Sequence, residues 1–171
     1  MLALGAEQLL AVWEGGFDLP PPRRALALLE AACPQCERHE LESIAFGHGN
    51  DLLLRLRESL FGAGLLVVAA CPACGQQLES MLQAADLRGD ASRDDAAPDP
   101  VIRHHDIVFR TPTMGDLLDL PADPRQARID LLTRCAEAAR SGADVAARIA
   151  TLSDHDVEAI AEAMADADPQ A

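Results

Sequence analysis

The pentapeptide Cys71-Pro72-Ala73-Cys74-Gly75 constrains this chain more than any other feature. It follows an apolar run at 65–70 and precedes an alternating stretch at 76–83, so the spacing predicts strand, knuckle, strand, with a helix over 76–85 as the alternative for the second half. Two thiolates separated by two residues can hold one tetrahedral ion from a tight turn, and a glycine after the second supplies the backbone freedom that presents them. Two ligands make half a closed site. The second half on offer is Cys33-Pro34-Gln35-Cys36, which lacks the following glycine and has His39 nearby as a substitute ligand. Four thiolates leave no open position for water or substrate. A site of Cys33, Cys36, Cys71 and Cys74 would therefore hold structural zinc, bound with about 10–16 kcal/mol, comparable with the stability of a whole domain. A redox Cys-x-x-Cys needs a strand followed by a helix N-terminus, and the rest of such a unit is missing here.

With 171 residues and 49% hydrophobic content, the chain has enough apolar surface for one compact core or two small ones. No apolar run reaches the roughly 20 residues of a membrane span, and the amino terminus lacks the basic and apolar regions of a secretory signal. Five cysteines, four of them in close pairs, favour metal or redox chemistry in a reducing compartment over a disulfide scaffold, so a cytoplasmic protein is expected. A net charge of −14 repels phosphate backbones, and 3% aromatic content leaves few stacking platforms for bases, which argues against nucleic acid as a partner. The alanine-rich, lysine-free composition fits a GC-rich bacterial genome.

The periodicity predicts an α+β fold, mainly helical, with a small antiparallel zinc-ribbon-like sheet. Residues 1–62 read as a helical region. A helix from Ala6 stops at Gly15-Gly16; a second begins after Pro20, Pro21 and Pro22 and ends near Cys33; a third follows a polar loop, capped by Asn50-Asp51, with Leu52, Leu53, Leu56 and Leu60 inward. Residues 63–87 form the Cys-x-x-Cys hairpin. Residues 88–100, rich in Asp, Ala and Pro without apolar periodicity, read as a linker. Residues 101–171 carry a strand over 101–110, a capping box at Thr113-Met114-Gly115-Asp116, and helices over 124–140, 145–151 and from Ser153 to about Asp166.

Other chemistry-bearing residues have plainer readings. Cys135 lies in an apolar-periodic helix, where a buried thiol is expected rather than a nucleophile. The five histidines form no H-E-x-x-H motif. Arg103-His104-His105-Asp106 is the densest polar cluster, but neighbouring histidines on a strand point to opposite faces, which makes joint chelation awkward. The carboxylates of 154–168 read as a solvated helix face. Nothing here assembles a catalytic constellation, so a non-enzymatic protein is expected.

Several segments in order resemble one family: residues 9–14 (LLAVWE), 24–29 (RALALL), 52–62 (LLLRLRESLFG), 71–75 (CPACG), 110–113 (RTPT) with Asp116-Leu117, and 131–135 (LLTRC). Together they are similar to the baseplate hub assembly proteins, or tail assembly chaperones, of contractile phage tails and extracellular contractile injection systems. The resemblance spans most of the chain. It implies a baseplate structural or assembly role, with other baseplate or hub proteins as partners and retention in the finished tail as one outcome. It also implies a second Cys-Pro-x-Cys-Gly beyond a segment like 165–169, which would be the natural partner of Cys71 and Cys74. The alternative to this role is a free zinc-ribbon adaptor or regulator that binds a cytosolic protein.

Overall fold

In the computed structural model, residues 4–88, 101–139 and 144–171 are described. The fold is α+β and mainly helical, with one two-stranded and one three-stranded antiparallel sheet. Helices α1 (Ala6–Gly16) and α2 (Pro21–Ala32) form as expected. Pro21 and Pro22 occupy the first turn of α2, where the missing N–H groups cost nothing. A short helix, α3 (Arg38–Ser43), occupies the expected polar loop and buries Leu41 alone. Helix α4 (Phe46–Phe61) starts a turn earlier than Asn50-Asp51 suggests. The reason lies in its first turn, where Gly47 and Gly49 read as helix breakers but serve as points of close approach. A Cβ on Gly47 would lie 1.9 Å from Asp168 Oδ1, and one on Gly49 would lie 2.4 Å from Met114 Sδ.

Strands β1 (Gly64–Ala70) and β2 (Gln77–Gln83) make the expected hairpin, and the one-turn helix α5 (Ala84–Leu87) follows directly. Of the expected linker, residues 89–100 lie outside the described residues, while Arg88 pairs with Glu58 of α4 at 2.9 Å. The single strand expected over 101–110 is instead a tight hairpin, β3 (Ile102–His104) and β4 (Ile107–Phe109), turning on His105 and Asp106. His105 takes a left-handed φ of 54°, the kind of geometry two-residue hairpin turns require. A 3-10 turn (Gly115–Leu117) then leads to α6 (Pro124–Cys135), which Asp123 caps by accepting the Gln126 N–H at 2.8 Å. That helix ends five residues before Arg140. Ala136–Ala139 leaves it as β5, pairing antiparallel with β4, because Phe109 and its neighbours present an unpaired edge. Helices α7 (Val145–Ala150) and α8 (Asp154–Ala167) complete the chain, the latter opened by a Ser153–Asp156 capping box.

Three apolar clusters hold these elements. Leu4, Ala32 and Leu56 join α1, α2 and α4. Leu26, Leu29, Leu41 and Met114 tie the N-terminal helices to the segment before α6. Ile102, Ile107, Phe109, Leu132, Cys135, Ile149, Ile160 and Met164 form the core of the C-terminal region. The two regions also share backbone bonds: Phe46 N–H donates to Pro112 O at 2.9 Å, and Met114 N–H to Ile44 O at 3.0 Å. Asp116 sits beside this seam. Burial pushes its carboxyl up, but the Arg110 guanidinium and the Thr113 N–H and hydroxyl outweigh that and hold it below the usual carboxylate range.

Candidate metal centre

The β1–β2 turn carries Cys71 and Cys74 between the two strands. Cys71 N–H donates to Gln76 O and Gly75 N–H to Cys71 O, both at 2.8 Å, which closes the turn at each end. Gly75 takes a φ of +73°, a conformation L side chains rarely adopt, so the glycine after Cys74 is a backbone requirement. The backbone N–H groups of Ala73 and Cys74, with the Cys74 thiol, bond to the Cys71 sulfur and pull its thiol below the ordinary cysteine value. Such bonds favour the thiolate, the form that binds metal. Cys74 is exposed and Cys71 half-buried. This donor set fits one half of a tetrahedral thiolate site.

The Cys33–Cys36 turn differs. It links α2 to α3, with Cys36 N–H donating to Cys33 O at 2.9 Å. The Cys36 thiol donates a hydrogen bond to the Cys33 sulfur, which with burial pushes it up, and Cys36 packs against the Leu26–Leu29–Leu41–Met114 cluster. Its surroundings favour a small apolar thiol over a thiolate. His39 is exposed beside Glu37, at 3.2 Å. The structure brings each cysteine pair together within its own turn and does not gather the two pairs. Among the described residues, the one set of three or more candidate ligand atoms within 4.8 Å of one another is His104, His105 and Asp156. Cys135 is fully buried at the end of α6, and desolvation with the adjacent Asp116 pushes its thiol up to about 12. It is an inert core residue.

The sheet that carries the knuckle is apolar on both faces. The register places Leu65, Val67, Leu78 and Leu82 on one side and Leu66, Val68 and Met81 on the other. Leu66 is 65% exposed, Met81 62% and Leu78 53%. Trp13 of α1 and Phe17, just past its end, stack edge to face with centroids 5.9 Å apart, and both are exposed. These apolar surfaces exceed what isolated exposed residues need in explanation.

The sequence concealed the histidine cluster, because a hairpin turn replaces the expected strand. The turn sets the His104 and His105 rings 4.4 Å apart rather than on opposite faces. Only the pairing of β3 with α8 supplies Asp156. No described helix is long and apolar enough to cross a membrane. Compared with known proteins, the chain matches no family model, no curated protein and no solved structure.

Proposed function

We propose that this chain is a non-enzymatic structural or assembly protein of a contractile tail baseplate, with a zinc-binding knuckle at Cys71 and Cys74. The observation that carries the reading is the knuckle itself, at the tip of a ribbon that exposes apolar side chains on both faces. Such a ribbon is stable in isolation only marginally, and a covering partner together with a metal would supply what it lacks. The ordered resemblance to baseplate hub assembly proteins favours another baseplate or hub component, met in the cytoplasm during assembly, as that partner. The strongly acidic chain suits docking to proteins rather than to nucleic acid.

Zinc content by elemental mass spectrometry on the purified chain and on Cys71→Ser and Cys33→Ser variants tests the knuckle. Loss of the thiolate-bound zinc in Cys71→Ser, read as one zinc per chain fewer than in the wild type, with no such loss in Cys33→Ser, is expected from the contrast between the two turns. Loss in both would restore the four-cysteine site, and a zinc-free wild type would overturn the knuckle. The genes beside its own, and co-expression with any hub, spike or sheath protein they encode, test the role. A gene neighbourhood without sheath, tube or spike genes would instead favour the free zinc-ribbon adaptor, which the knuckle geometry supports equally well.

A further inference from the structure

We propose that His104, His105 and Asp156 form a second metal site, separate from the cysteine knuckle, that takes a divalent first-row transition ion such as Zn2+. Three elements converge on it. His104 ends β3, His105 opens the β3–β4 turn, and Asp156 stands in the first turn of α8. Their candidate ligand atoms lie within 4.8 Å of one another, and His104 Nε2 lies 3.1 Å from Asp156 Oδ1. A four-coordinate ion with bonds of about 2.0–2.2 Å holds its ligand atoms roughly 3–3.6 Å apart. A small rotation of the exposed His105 ring closes the remaining gap without disturbing the core.

The carboxylate and the turn are held from behind. Asp156 Oδ2 accepts the Ser153 hydroxyl at 2.5 Å and the Ser153 N–H at 3.2 Å, leaving Oδ1 directed at the histidines. Asp106, next to His105, pairs with Arg148 of α7 at 2.8 Å and anchors the turn. Support of this kind orients metal ligands and fixes their geometry. A plain ion pair accounts for His104 and Asp156 alone. It does not account for His105, whose imidazole lies 4.4 Å from the first. Two imidazoles and a carboxylate favour zinc, nickel, cobalt or copper over magnesium or calcium, which prefer all-oxygen shells. Three protein ligands leave at least one position for water or an incoming side chain.

The site does not depend on the knuckle, and cobalt separates them. Thiolate-bound Co2+ gives an intense near-ultraviolet charge-transfer band, whereas imidazole and carboxylate ligands do not. The full chain titrated calorimetrically with Zn2+, and spectroscopically with Co2+, is expected to show a binding event without thiolate character that persists in Cys71→Ser. His105→Asn removes the imidazole while keeping a residue that tolerates positive φ. It is expected to weaken that event at least about tenfold and to leave the metal-free melting temperature unchanged. Absence of the event in the wild type, or an equal affinity in His105→Asn, would overturn the site and leave a His104–Asp156 ion pair.

Discussion

Replacing Gly47 with alanine separates two opposing effects that the sequence alone would score in the wrong direction. Alanine is the better helix former by about 1 kcal/mol, so propensity predicts a more stable α4. The structure predicts the reverse. Gly47 donates its N–H to Asp168 Oδ2 at 2.9 Å, and this buried bond ties the first turn of α4 to a residue 121 positions later. An alanine Cβ would lie 1.9 Å from Oδ1, 2.6 Å from Cγ and 2.8 Å from Oδ2, so the carboxylate must withdraw. Losing a hydrogen bond to a charged group costs about 1.5–3 kcal/mol, and forcing atoms into a packed site a further 1–3 or so. Set against the propensity gain, the net loss is about 1.5–5 kcal/mol, or roughly 3–20 °C in melting temperature for a chain of this size. Thermal and urea unfolding followed by circular dichroism, with metal content held constant, measures it. A double-mutant cycle locates the cause: in an Asp168→Ala background, Gly47→Ala should become neutral or mildly stabilising. A Gly47→Ala protein as stable as the wild type, or an equal cost in both backgrounds, would refute the contact.

Acid sensitivity should be concentrated at Asp116. Its carboxyl is held below the usual range, so the stability it contributes is fully present above the unfolded-state value of about 4 and is lost as pH falls through the lower folded value. Asp116→Asn should be weaker at neutral pH and show a flatter loss of stability below about pH 4; equal acid slopes in the two proteins would refute this. Thiol reactivity should rank with environment. In the metal-free native chain, Cys71 and Cys74 react first with a disulfide reagent, while Cys135, fully buried and pushed up to about 12, reacts only on unfolding. Reaction of all five cysteines at one rate would contradict that ranking.

Where local chemistry decides structure, the sequence could be read. The prolines opening α2, the leucine stripes of α2 and α4, the tight turn at Gly75, and Ser153 capping α8 each act within a few residues, and each appears where its pattern places it. Tertiary contacts decided the rest. Helix α3 hides in a polar stretch because only Leu41 points inward, which leaves no periodicity to detect. The early start of α4 follows from Asp168 and Met114 crowding two glycines, partners that lie far along the chain. Ala136–Ala139 has the composition of a helix and becomes a strand because β4 offers it an edge. The histidine cluster escaped for a similar reason: its turn rests on a left-handed histidine rather than a glycine, and its carboxylate comes from 52 residues away.

The ribbon of β1 and β2 also bears on how the chain behaves in concentrated solution. Residues 65–70 carry no charge and no proline, and among the described residues no further strand pairs with either outer edge of the sheet. Flat, apolar, unpaired edges are templates for strand-to-strand association between molecules. Within the two strands Glu79 alone opposes this, so dispersal depends on the net charge of −14 acting at a distance. That repulsion reaches about 10 Å at 0.1 M ionic strength and about 3 Å at 1 M. Dilute buffer therefore keeps copies apart, whereas concentrated salt lets their ribbons meet.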